Sequence, residues 1–222
     1  MDTKVKESLL LFIKHHPKYK IYYEEVYLLF YSGVRVSELC GLTTKNLDFE
    51  NEIINLDHQL QYDSHYGLYI TSLKGRLSSS EVKTRSIPMY KGVFEALETI
   101  IRNRPIVDEE VIIQSEDPRI PAQSGFVILN QTGNPRYSKF YDNLFQDICR
   151  DYNLTFPDHP IKITPHMCRH TFCTNIAEEG VDINLIQKLM GHTDVKTTQK
   201  YMKTFENQKV AEKTKYLNEK NW

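Results

Sequence analysis

The strongest constraint on this chain is a change of period along its length. Apolar residues recur at helical spacing over residues 5–14 and 22–31, then over a short stretch at 36–42 after the Ser32-Gly33 break. From residue 53 to residue 88 the chain turns β-branched and aromatic, with strand-like runs at 53–56, 68–72 and 85–88. Helical spacing returns over 93–101 and, past the Thr132-Gly133-Asn134-Pro135 turn, over 138–152. This order predicts a mainly α fold with a small antiparallel β-sheet, an α+β architecture. The Gly and Ser content of Lys74-Gly75-Arg76-Leu77-Ser78-Ser79-Ser80 predicts a hairpin tip between the last two strands.

The last third carries explicit helix punctuation. Thr164 followed by Pro165 fits an N-cap with proline at the first helical position, and Gly180 after Glu178-Glu179 fits a C-terminal stop. His166 and Arg169 then begin one helix. Asp182 caps a second, over 183–190, which Gly191 ends just before His192. Residues 205–222 are polar except for a thin stripe of Val210, Ala211 and Leu217, which suggests a tail helix that needs a partner to bury that face.

A chain of 222 residues with 40% apolar content can bury a sizeable core, and we expect one domain over 1–222. No apolar run approaches the ~18 residues of a membrane span, and Asp2, Lys4, Lys6 and Glu7 replace any signal-peptide pattern, so a soluble, cytoplasmic protein is expected. The four cysteines, Cys40, Cys149, Cys168 and Cys173, have neither a disulfide framework nor zinc-site spacing. A formal net charge of −1 means that any nucleic-acid surface must be a basic face offset by acidic ones.

His166 and Arg169 lie one helical turn apart near the positive end of their helix dipole, where an anion is welcome. Arginine offers a planar fork for phosphate oxygens, and histidine exchanges protons near neutral pH. Taken alone, such a pair is as well explained by neighbouring carboxylates. With 14 tyrosines and eight histidines in the chain, Tyr201 and His192 taken singly read as packing or surface residues.

Together these elements form a pattern. Thr164-Pro165-His166-Met167-Cys168-Arg169-His170-Thr171-Phe172, then Leu189-Met190-Gly191-His192, then Tyr201, closely resembles the C-terminal signature of tyrosine recombinases, the phage integrase family. Ser32-Gly33-Val34-Arg35-Val36-Ser37-Glu38-Leu39 resembles that family's first arginine box, and Asp57-His58-Gln59-Leu60 with Arg85-Ser86-Ile87-Pro88-Met89 looks most like integrases of conjugative transposons. The resemblance runs from about residue 22 to 203 and implies the tyrosine recombinase catalytic-domain fold, without the core-binding or arm-binding domains that usually precede it.

The resemblance implies that Tyr201 attacks the scissile phosphate, giving a 3′-phosphotyrosyl link and a free 5′-hydroxyl. One phosphodiester replaces another, so no cofactor, nucleotide or metal is called for. Arg35 and Arg169 would clamp the transition-state oxygens, His166 would assist proton removal, and His192 would hydrogen-bond the phosphate. A hairpin lysine would protonate the leaving oxygen. Lys74 and Lys83 compete, and Lys74 is preferred because it follows the strand at 68–72 just before the turn. Glu38, one turn after Arg35, could orient it.

Thr43, Lys45, Arg76, Lys83, Arg85, Lys139, Lys162 and His170 are candidate DNA contacts. The implied partner is double-stranded DNA at recombination sites, bound by a homo-tetramer of whole recombinase at the nucleoid, with the isolated domain a monomer. Rival readings are a type IB topoisomerase, a non-catalytic DNA-binding relative, and a metal protein built on His166, Cys168, His170 and Cys173. Cys168 and Cys173 would face different sides of one helix, which disfavours the last.

Overall fold

The structure is a computed structural model that describes residues 1–74 and 82–191. Helix α1, Thr3–His15, starts at Asp2, whose carboxylate accepts from Lys4 N at 2.7 Å. A short 3₁₀ turn leads to α2, Tyr23–Tyr31, and the Ser32-Gly33 break to α3, Val36–Gly41. Two sheets follow. In the first, β1 (Leu47–Asp48), β2 (Ile53–Leu56) and β5 (Arg85–Pro88) pair antiparallel in the order β1-β2-β5. In the second, β3 (His58–Asp63) and β4 (Gly67–Ser72) form a hairpin. Helices α4 (Lys91–Arg102), α5 (Ser138–Thr155), α6 (Pro165–Glu178) and α7 (Ile183–Met190) complete the described chain. Among these residues no helix is long and apolar enough to cross a membrane.

The mainly α, antiparallel-β expectation holds, with one correction to the sheet. The strands at 68–72 and 85–88 do not pair with each other: β4 pairs with β3, and β5 with β2. Strand β3 escapes the sequence pattern because His58, Gln59, Gln61 and Asp63 leave little apolar signal. A local turn closed by Gly67, at φ +78°, joins it to β4.

The helix ends follow their sequence signals. Thr164 Oγ1 accepts from Met167 N at 3.4 Å with Pro165 beginning α6, and Asp182 Oδ1 accepts from Asn184 N (2.9 Å) and Leu185 N (3.3 Å) at the start of α7. Gly191 closes α7 in the left-handed region at φ +58°.

Packing divides into two cores. The large one gathers α1 to α5 and the sheets around Leu9, Phe30, Leu39, Ile54, Ile70, Tyr141 and Phe145. The small one joins α6 to α7 through Cys173, Ala177, Ile186 and Met190. Phe172 and Met190 close over Gly33, at φ +67°, where an added Cβ would lie 2.5 Å from the Phe172 ring. Gly33→Ala is therefore expected to lower stability by at least about 1–2 kcal/mol, from the left-handed backbone alone. Urea unfolding would measure it; unchanged stability would contradict this packing.

Candidate active site

Helix α3 is short, but it is the most enclosed element of the described chain. Ser37, Glu38, Leu39, Cys40 and Gly41 are all buried. Two polar contacts bind it to the hairpin: Ser37 Oγ donates to Gln59 Oε1 at 2.8 Å, and the His58 ring lies 2.8 Å from the Gly41 carbonyl through Nε2. Gln59 in turn donates to the Ser72 carbonyl. The arginine box is thus held from beneath by β3 and β4.

Glu38, with no exposed surface, is the centre of the site. Its Oε1 accepts from Arg35 Nη1 at 2.7 Å, and its Oε2 accepts from the Arg35 backbone N–H at 2.6 Å and from Arg85 Nη2. Arg169 Nη1 stands 3.9 Å away. Burial would push the Glu38 carboxyl up, but the guanidiniums of Arg85, Arg35 and Arg169 outweigh it and hold it below the ordinary carboxylate range.

Three cations converge on the end of α7. Arg85 Nη1 donates to the Leu189 carbonyl, Arg169 Nη2 to that of Met190, and Lys83 Nζ to that of Gly191 at 3.0 Å. These are the unpaired acceptors at the negative end of a helix. Arg169 Nη1 also donates to the Gly33 carbonyl, so this one side chain ties α6 both to the turn before α3 and to α7. Burial lowers the Lys83 ammonium, and Arg35, Arg85 and Arg169 lower it further.

The structure therefore brings Arg35, Arg169 and Lys83 together around Glu38. His166 is exposed in the first turn of α6, on the helix that carries Arg169. Lys74 is exposed at the end of β4, and its carbonyl accepts from Lys83 Nζ at 3.1 Å. His192, Tyr201 and Arg76 lie outside the described residues. Lys45, Lys139, Lys162 and His170 are exposed.

Two candidate DNA contacts point inward instead. Thr43 is fully buried and donates its hydroxyl to Asn46 Oδ1 at 2.8 Å. Arg85 is buried because it shares the inward face of β5 with Ile87. Its signal was present in the sequence, as an arginine alternating in register with an apolar residue. The four residues of the metal reading are not assembled: Cys168 and Cys173 are buried in different cores, and no group of three potential ligands occurs among the described residues.

Removing the Glu38 charge leaves two buried cations, Arg85 and Arg169, without their counter-charge. Glu38→Gln should cost about 3–5 kcal/mol at pH 7, measured by chemical unfolding. In the wild type, the contribution of Glu38 is complete above the unfolded carboxyl value, about 4.3. It is lost as pH falls through the lower folded value, so the variant should show a flatter acid limb of stability. An equally steep limb in the variant would show that Glu38 is not its source.

Comparison with known proteins places this geometry. The profile of the phage integrase family matches residues 1–208. The chain is 35% identical to the transposase from transposon Tn916 of Enterococcus faecalis over 201 residues, covering 90% of this chain and 46% of that protein. It is 28% identical to the tyrosine recombinase XerA of Thermococcus onnurineus, covering 86% of this chain and 55% of the relative. The chain thus spans about half the length of these relatives. Among solved structures, the Tn1549 transposon integrase in complex with circular intermediate DNA superposes with a TM-score of 0.78 at 33% identity, over 90% of this chain and 61% of that one. A XerA recombinase crystal structure shares the fold, with a TM-score of 0.63 at 23% identity over 91% of this chain and 59% of that one. The architecture is that of a tyrosine recombinase catalytic domain, and the chain belongs to the phage integrase family.

Proposed function

We propose that this chain is the catalytic domain of a site-specific DNA recombinase, an integrase of a mobile element, which cuts and rejoins DNA strands by transesterification. The observation that carries this reading is the buried Glu38 carboxylate, which holds Arg35 and stands 3.9 Å from Arg169. Two guanidiniums gathered at one buried anion would offer donors to the oxygens of a pentacoordinate phosphorane. The relatives named as a transposon transposase and as an integrase in complex with DNA support the same reading.

In this mechanism the Tyr201 oxygen attacks phosphorus, the bond from phosphorus to the 5′-oxygen breaks, and that oxygen leaves with a proton. His166 assists removal of the phenolic proton, and His192 hydrogen-bonds a phosphate oxygen. The leaving oxygen takes its proton from a lysine. Lys74 has the strand-end position; Lys83 is favoured by its place beside Arg35, Arg85 and Arg169, since an ammonium lowered by burial and neighbouring cations is the stronger acid. Lys45, Lys139, Lys162 and His170 would meet the DNA backbone, with Arg76 as a further candidate. We read residues 1–222 as a single catalytic domain that is monomeric alone and tetrameric on paired sites in a full-length recombinase context. Residues 205–222 would be exchanged between subunits, and the protein would act on DNA in the cytoplasm.

Nicked suicide duplexes bearing candidate element ends test the nucleophile. Wild type should give a denaturation-resistant protein–DNA adduct, and Tyr201→Phe none. No adduct from full-length protein with both ends would refute the catalytic reading in favour of a binding module. Duplexes with a bridging 5′-phosphorothiolate, whose leaving group needs no proton, identify the acid. Lys83→Ala should lose about 10²–10⁴-fold in cleavage rate on ordinary DNA and recover on the thiolate. Rescue of Lys74→Ala alone would assign the role to Lys74.

A further inference from the structure

We propose that Arg85 is a positioning residue for strand cleavage: it braces Glu38 against Arg35 and ties the end of α7 to the same carboxylate, without touching DNA itself. The inference rests on the recombinase reading of the preceding section and adds a component to it.

Arg85 joins α3 to the end of α7 from the strand side, opposite the bridge that Arg169 makes from α6. From β5 its Nη2 reaches Glu38 Oε2, in the helix that follows Arg35, and its Nη1 reaches the Leu189 carbonyl in the last turn of α7. Only 4% of its side chain is exposed, and its buried Nε makes no hydrogen bond. Its two terminal nitrogens are held by the Glu38 carboxylate and by a peptide carbonyl, an arrangement that suits a brace. The fit is mutual, because a Cβ on Gly191 would lie 2.8 Å from Arg85 Cδ, so glycine at the helix stop is what lets the arginine pass. In sequence, that glycine leads directly into His192.

The same contact governs the charge of the site. Glu38 is faced by Arg35 at the start of α3, Arg85 from β5, Arg169 from α6 and Lys83 ahead of β5. Arg85 is the foremost of the cations that hold the Glu38 carboxyl low. Without it, less charge opposes burial, the carboxyl would take up a proton at higher pH than in the wild type, and a protonated Glu38 would no longer anchor Arg35 as an ion pair.

The test is the pH profile of adduct formation by the full chain on suicide duplexes, with DNA affinity measured alongside. Arg85→Met should bind DNA within about threefold of wild type yet form adduct about 10²-fold more slowly. Its acid limb should move to higher pH, and Glu38→Gln should lack that limb. Arg85→Lys, which can reach one partner but not both, should fall between wild type and Arg85→Met in rate and profile. Cleavage by Arg85→Met at the wild-type rate overturns the proposal, as does a loss that follows DNA affinity with an unmoved pH profile. If Arg85→Met does not fold, Arg85→Lys decides, and the wild-type rate and profile in that variant overturn it. Failure of the recombinase reading would be seen separately, as no adduct from wild type, and would take this inference with it.

Discussion

A single buried carboxylate organises this molecule. Glu38 has no exposed surface, and an ionised group there is tolerable only because cations arrive from three directions: Arg35 on its own helix, Arg85 from a strand, and Arg169 from a helix of the second core. A second buried glutamate shows what happens with fewer partners. Glu25 of α2 is paired with Arg136 and accepts from the Tyr141 hydroxyl at 2.6 Å, yet burial wins and its carboxyl is raised. The two residues have similar burial and opposite titration, and the number of converging guanidiniums decides between them.

The site lies where the two cores meet. Arg169 leaves the small α6–α7 core and ends on the Gly33 carbonyl, at the turn that introduces the arginine box. Phe172, one turn further along α6, closes over that same glycine. Relative placement of the two arginines is therefore fixed by apolar contact on one side and by backbone acceptors on the other, and not by the loops between them.

Much of this is legible in the sequence because the signals are local. Thr164-Pro165, Asp182 and Gly191 mark real helix ends, and alternation marks β2 and β5. What escapes is non-local. The polar strand β3 is a strand because α3 and β4 give it partners, and no residue within it announces this. Pairing of β5 with β2 has a consequence for the two lysines: Lys83 belongs to the approach to the three-stranded sheet, whereas Lys74 ends the separate hairpin. The inward course of Arg169 is equally hidden, since a composition rule counts an arginine as surface until its acceptors are known.

The carbonyls of Leu189, Met190 and Gly191 already have cationic donors: Arg85, Arg169 and Lys83. Under the proposed function, an incoming phosphate would meet a site whose donors are in use, and its binding would be a ligand exchange in which the anion draws Arg169 and Lys83 away from peptide oxygens. The net gain is the difference between two sets of charge-assisted hydrogen bonds, much smaller than either. Every donor that the phosphate captured would be one that the end of α7 gave up, so substrate affinity and the anchoring of α7 would draw on the same few hydrogen bonds.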